Sequence, residues 1–186
     1  MTKFCLIRHG QTDWNLEGRY QGQSDVSLNE TGRLQAFEIA RQLQPQTFTA
    51  IYTSDLQRAQ ETAEIIASAL KLPYKIDIRL REINQGEWEG QQVEVIKARY
   101  ADLWNQRSID PASVRPPGGE TVGEVAKRAF EVMDDLAYRY PGRSVLIVSH
   151  GLTLATILCK VRHISVGHAY QVIPVNAEII WIEWEV

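Results

Sequence analysis

The sequence predicts an α/β chain, a three-layer α/β/α sandwich around a mostly parallel sheet, and two observations predict it. Short apolar runs of buried-strand character alternate with stretches of helical period, and two of those runs end in the same His-Gly step. Phe4-Cys5-Leu6-Ile7 is the first run, unbroken in the way of a strand covered on both faces. Ser27-Leu28-Asn29-Glu30 has the S-x-x-E spacing of a capping box, so a helix is expected from there to Leu43, before Pro45. Ala50–Thr53 reads as the next strand. Ser54-Asp55-Leu56-Gln57 fits a second capping box, and behind it Ala59, Ala63, Ile66 and Leu70 form one apolar helical stripe.

From Tyr74 to Leu80 apolar and charged residues alternate, which predicts a strand with one drier face. Val93, Ile96, Tyr100 and Leu103 suggest a helix, followed by an irregular, proline-containing segment from Asp110 to Gly119. Thr121-Val122-Gly123-Glu124 caps a helix that turns Val125, Ala129, Val132 or Met133, and Leu136 inward, and Pro141-Gly142 ends it. Ser144–Val148 is a second buried-type strand, and Gly151–Lys160 is expected to be helical. Ala177–Glu185 is a strand whose Ile180, Ile182 and Trp184 share a face, its charged end placing it near a sheet edge.

With 186 residues, the chain fits one domain, 1–186. A net charge of −3 gives no bulk positive field to attract nucleic acid, so any cationic site must be local. Cys5 and Cys159, each in an apolar stretch, read as buried free thiols. The apolar start is too short for a signal peptide and no run reaches the ~20 apolar residues of a membrane span, so a cytoplasmic location is expected.

The chemistry gathers at strand ends, where open α/β sheets bind ligands. Arg8-His9-Gly10 follows the first buried strand and Ser149-His150-Gly151 follows the later one, so two of four histidines sit at equivalent places, each before a glycine that lets a ligand approach the backbone. Arg58 lies in the first turn of the helix after Ala50–Thr53, where helix N–H groups and a guanidinium fork together favour an anion. With Arg8 beside His9, a doubly anionic ligand explains both arginines better than surface pairing does. Glu82 emerges after the alternating strand, where a carboxylic acid could donate a proton to a leaving alkoxide. His163 and His168 lack zinc-ligand spacing, so no metal is expected and both read as surface or loop residues.

These residues sit in longer blocks. Leu6-Ile7-Arg8-His9-Gly10-Gln11-Thr12-Asp13-Trp14-Asn15, Tyr20-Gln21-Gly22, Leu28–Gly32, Ser54–Ala59, Glu61–Ala63, Leu80–Glu82, Gly86–Gly90, Gly118–Thr121 and Ser149–Gly151 follow one another almost end to end. In that order they resemble the histidine phosphatase superfamily, in its phosphoglycerate-mutase-like branch. The resemblance implies that fold, with His9 as nucleophile, Arg8, Arg58 and His150 as the phosphate pocket, and Glu82 as general acid and then base. It also implies contacts to phosphate or substrate from Asn15, Gln21, Gly22 and Gly151, a small phosphomonoester as partner, and no metal or other cofactor. Beside the anion, His150 is expected to favour its protonated state.

Two outcomes remain open within that family. The similar but longer mutases carry a Glu-Arg-His-Tyr run where this chain has Glu82-Ile83-Asn84-Gln85-Gly86, and typically an Asn where it has Leu152. A phosphatase is therefore expected ahead of a mutase using 2,3-bisphosphoglycerate. A non-catalytic binding module would have lost one of the five central residues, and all are present. Trp14, Tyr20, Gln85, Trp88, Tyr100 and Trp104 are expected in or near the pocket cover, as an apolar wall for substrate or as packing. The tryptophans near the C-terminus point to a homodimer edge.

Overall fold

The computed structural model describes residues 1–185. In chain order the elements are β1 (Thr2–Arg8), α1 (Asp13–Leu16), α2 (Glu30–Leu43), β2 (Ala50–Thr53), α3 (Gln57–Leu70), β3 (Tyr74–Ile76), α4 (Val93–Arg99), α5 (Ala101–Ile109), α6 (Val122–Arg139), β4 (Ser144–Ser149), α7 (Gly151–Val161) and β5 (Ile179–Trp184). The strands form one sheet in the order β3-β2-β4-β1-β5, parallel except for β5, which pairs antiparallel with β1 at the edge.

Side chains of a strand alternate between faces, and here each face meets its own helices. Phe4, Leu6, Tyr52, Val145, Ile147 and Ile182 pack with Met133 and Leu136 of α6 and with Leu154 and Ile157 of α7. Cys5, Ile7, Ile51, Leu146 and Val148 face the other way, against Ile39 and Leu43 of α2 and Ala63 and Ile66 of α3. Three layers follow directly from that alternation. Cys5 and Cys159 are free and buried, and burial pushes the Cys5 thiol up to about 12.

The order of connections decides where a ligand can enter. From β1 the chain crosses by α2 to β2 and by α3 to β3, then returns by α6 to insert β4 between β2 and β1. The carboxyl ends of β1, β2 and β4 are consequently neighbours: Arg8 pairs with Ser149 and Thr53 with Val148. That reversal is the place where parallel sheets open a crevice.

Several local expectations are corrected. Helix α2 starts at Glu30, capped by Asn29, whose side chain accepts the Gly32 N–H; Ser27 is exposed and caps nothing. Leu56, not Ser54, is the N-cap of α3. The strand expected over Tyr74–Leu80 stops at Ile76, because the Asp77 carboxylate accepts the Arg79 N–H and winds Ile78–Leu80 into a 3₁₀ turn. The region from Val93 to Ile109 is two short helices rather than one. The capping box at Thr121–Glu124 is present, with both reciprocal hydrogen bonds. Near the C-terminus Trp184 is buried beside Phe130, its indole N–H donating to Asp134, while Trp181 is half-exposed and stacked on Phe48.

Leu146 is fully buried at the centre of the sheet. Leu146→Ala should cost about 2–5 kcal/mol, measured as a lower urea midpoint with an unchanged slope.

Candidate active site

A pocket of about 370 Å³ opens at the carboxyl edge of the sheet, lined at its inner end by Arg8, His9, Arg58, Glu82 and Gly151. Arg8 and His9 reach it from the end of β1, Arg58 from α3, Glu82 from an irregular segment and Gly151 from the start of α7. His9 directly follows β1, and its N–H donates to the Ser149 carbonyl of β4 at 3.0 Å, which extends the parallel ladder one step beyond the strand. His150 follows β4, and the two imidazole centroids lie 5.2 Å apart. The distant His-Gly steps therefore converge.

The tautomer of His9 is set by its neighbour. Its Nδ1 lies 2.7 Å from the Gly10 carbonyl oxygen, which can only accept, so Nδ1 carries the proton. Nε2 is left with its lone pair, and accepts from the Arg58 Nε–H at 3.3 Å. Burial, then Arg58 and Arg8, push His9 well below the usual histidine range. The ring is neutral, with an unprotonated nitrogen facing the two guanidinium groups.

Arg58 is fully buried, and its remaining donors meet main-chain oxygens: Ser24 at 2.8 Å and Gly22 at 2.7 Å. Arg8 donates to the Pro174 carbonyl at 2.7 Å, and its buried Nε has no partner among the described residues. Neither arginine is in an ion pair among those residues. Burial pushes Arg58 down to about 10, against the nearby carboxylates of Glu82, Asp25 and Glu89, so it stays cationic at neutral pH. Burial lowers Arg8 as well, with Glu82 opposing. One fully buried guanidinium and one half-buried one, met mainly by carbonyls, make a site suited to a compact dianion, since burying charge is costly unless it is paired.

Glu82 lines the same pocket. Its Oε1 accepts from the N–H groups of Ile83 (3.0 Å) and Thr153 (3.2 Å), and its Oε2 from Leu152 N–H at 3.1 Å. The carboxyl group thus occupies the N-terminus of α7, where helix N–H groups lack intrahelical partners. Gly151 begins that helix and lines the pocket.

His150 does not itself line the pocket. It is fully buried behind the lining residues, and burial, then Arg58 and His9, hold it well below the usual histidine range. Without an anion these surroundings favour the neutral ring, and a dianion beside it would act in the opposite direction. Its Nε2 lies 2.6 Å from Ser54 Oγ, and its Nδ1 is buried without a partner among the described residues.

The remaining expected residues also lie here. Asn15, Gln21 and Gly22 line the pocket. Asn15 Oδ1 is engaged by the Thr12 N–H, which directs the rest of its amide. Gly22 has φ +51, and a Cβ there would collide with the Glu89 carboxylate. Gly10 has another role than the ligand approach expected of it: a Cβ would strike the Gly32 carbonyl of α2, so the glycine permits close helix packing. Of the aromatic and amide candidates, Tyr20 and Gln85 line the pocket, whereas Trp88 is buried under Tyr20, Tyr100 and Trp104 and serves as packing.

Sequence reasoning missed five contributors. Ser54 holds His150 instead of capping a helix. Thr62 accepts the Gly10 N–H and donates to the Arg58 carbonyl. Asn176 donates to the His9 carbonyl at 3.0 Å. Glu89 ties the two covering loops by accepting from Gln23 N–H, Gln85 N–H and Ser24 Oγ. Arg107 stacks 3.8 Å over the Tyr170 ring and donates to Tyr20 Oη at the outer end. Thr62 and Glu89 stand inside the resemblance blocks, which could have flagged them; Asn176 and Arg107 stand outside.

The sequence pattern of the histidine phosphatase superfamily, branch 1, matches residues 4–186. The chain belongs to that superfamily. Among relatives of this superfamily member, a "probable phosphoglycerate mutase GpmB" of Erwinia tasmaniensis is 35% identical over 179 residues, covering 96% of this chain and 79% of the relative. Its namesake in Yersinia enterocolitica is 38% identical over 159 residues, 85% of this chain and 74% of the relative. Among solved structures, Bacillus stearothermophilus YhfR superposes with a TM-score of 0.91 at 34% identity, covering 100% of this chain and 92% of that one. A mycobacterial glucosyl-3-phosphoglycerate phosphatase, solved with VO3, gives 0.88 at 31% identity, covering 97% and 90%. Among the described residues no helix is long and apolar enough to cross a membrane, and no group of three or more His, Cys, Asp or Glu is placed to hold a metal ion.

The buried imidazoles predict a pH dependence of stability. Unfolded, His9 and His150 take up protons near 6.5; folded, they do so only well below it. The unfolded state therefore binds more protons in that window, and stability falls as pH drops below about 6.5. Urea unfolding between pH 8 and 5 should show that slope, and His150→Gln should flatten it.

Proposed function

We propose that this chain is a phosphomonoester hydrolase working through a phosphohistidine on His9. The observation that carries the reading is the unprotonated Nε2 of His9 beside the buried Arg58 guanidinium, with the half-buried Arg8 lining the same pocket. A phosphate dianion between Arg8 and Arg58 has its charge balanced there, and the same groups stabilise the equatorial oxygens as the phosphoryl group moves. The Nε2 lone pair forms the P–N bond while the P–O bond to the alcohol breaks. Nδ1–H, held by the Gly10 carbonyl, stabilises the positive charge that develops on the ring. Glu82 in its acid form gives its proton to the leaving alkoxide. Its carboxylate then takes a proton from water, which attacks phosphorus and releases inorganic phosphate, restoring His9 and Glu82.

Hydrolysis is favoured over mutase chemistry by what surrounds Glu82. Ile83 and Leu152 are buried and line the pocket where the mutases carry a basic residue and an Asn. The pocket's outer end combines Val93, Ile173, Tyr20, Tyr170 and the amides of Gln21 and Gln85, whose buried Oε1 atoms have no partner among the described residues. Such a wall suits an organic alcohol with hydroxyl groups to offer those oxygens. The similar solved proteins include enzymes titled phosphatases, among them the mycobacterial one. The names of the sequence relatives favour the second reading, a mutase primed by 2,3-bisphosphoglycerate, and Arg107 would then be the outer cation for a second anionic group.

A panel of phosphomonoesters decides between them. With 3-phosphoglycerate, phosphate release should outrun conversion to 2-phosphoglycerate with or without 2,3-bisphosphoglycerate; faster conversion would make the chain a mutase. Glu82→Gln should slow hydrolysis of alkyl phosphates by about 10²–10⁴-fold and of nitrophenyl phosphate far less. Equal slowing of both would remove the acid role.

A further inference from the structure

Glu82 belongs to no helix or strand: it lies between the 3₁₀ turn Ile78–Leu80 and a second one, Gly86–Trp88. The α7 N–H groups hold the carboxyl oxygens, but in an irregular segment the aim of the group also depends on how the backbone beneath it is held. Here every carbonyl from residue 79 to 82 is captured by a side chain from elsewhere. Ser149 Oγ takes that of Leu80 at 2.7 Å and Thr153 Oγ1 shares that of Arg81 at 2.7 Å. Gln23 Nε2 donates to Glu82 O at 3.1 Å, and the other donor to this stretch is Arg128 on α6. Its Nη1 donates to Arg79 O at 2.8 Å and Arg81 O at 2.6 Å, and its Nη2 to Glu82 O at 3.0 Å.

The guanidinium is itself oriented. Arg128 Nε and Nη2 donate to the two carboxylate oxygens of Glu120, each at 3.1 Å, so all five of its N–H donors have acceptors. Glu120 also grips the segment on the far side of Glu82: its Oε2 accepts the Asn84 N–H at 2.8 Å, and its own N–H donates to the Asn84 carbonyl at 2.8 Å. One ion pair thus brackets Glu82, three carbonyls on Arg128 and the next peptide on Glu120. Neither Arg128 nor Glu120 lines the pocket.

We infer that the Glu120–Arg128 pair is a positioning clamp that aims the Glu82 carboxyl group at the leaving-group oxygen. The inference rests on the proton-donor reading of Glu82. A lysine cannot substitute for the fork, because one ammonium cannot reach three carbonyls and a carboxylate in that plane. A misplacement of about 1 Å at a reacting group costs on the order of 10²-fold in rate, and it should fall on the step that needs the proton.

The experiment compares alkyl phosphates with nitrophenyl phosphate for the wild type, Arg128→Lys, Glu120→Gln and Glu82→Gln, with folding checked by thermal unfolding. Arg128→Lys should lower kcat for the alkyl esters by about 10²-fold while leaving nitrophenyl turnover and KM close to wild type. Glu120→Gln, which keeps the volume and most of the hydrogen bonds, should show the same selectivity more weakly, and added guanidinium should partly restore an Arg128→Gly variant. If Glu82→Gln discriminates between the esters and folded Arg128→Lys and Glu120→Gln do not, the clamp is refuted and the acid stands. If Glu82→Gln itself shows no discrimination, the acid reading falls and the clamp with it.

Discussion

The site depends on one electrostatic constraint: two guanidinium groups, one fully and one half buried, share a pocket with an imidazole, and among the described residues no carboxylate is paired to either. Arg58 survives there because the Ser24 and Gly22 carbonyls take its terminal donors and His9 Nε2 takes the third. That last bond keeps the imidazole lone pair aimed into the pocket, while the Gly10 carbonyl fixes the proton on the opposite nitrogen. The same charges and the same burial hold both histidines neutral. The cost of burying that much positive charge is offset most effectively by a compact dianion, so the arrangement is tuned to its ligand more than to stability.

The sheet makes this convergence possible. Because β4 inserts between β2 and β1, the ends of three parallel strands deliver His9, His150 and the start of α3 to one edge. Helix α7 begins there too, and its free N–H groups hold the Glu82 carboxyl group in the same pocket as His9. A rigid sheet edge thus sets the proposed nucleophile and the proposed phosphate site, whereas the proposed acid hangs on a segment held by side chains and by the α7 N–H groups. The two halves of the site are built with different mechanical means, and substitutions in α6 can reach one without the other.

Much of this was legible in the sequence, for physical reasons. Buried parallel strands announce themselves as unbroken apolar runs, so Phe4–Ile7 and Ser144–Val148 were plain, and the residue following each run had to stand at the sheet edge. The failures came where a tertiary contact overruled a local pattern. Ser54 has the spacing of a helix cap, yet its hydroxyl is taken by His150, a residue 96 positions away. The alternation from Tyr74 to Leu80 looks like a strand, but the Asp77 side chain bends it into a turn, and that turn leads into Glu82. Asn176 and Arg107 reach the site from loops and a short helix whose local sequence carries no periodic or capping signal.

The most direct test is to trap the enzyme during turnover of a phosphomonoester and locate the covalent phosphate by mass spectrometry under alkaline conditions, where phosphohistidine survives. The account predicts a phosphoryl group on His9, absent from His9→Ala, which should also lose turnover. Phosphate on another side chain, or turnover retained without His9, would contradict it.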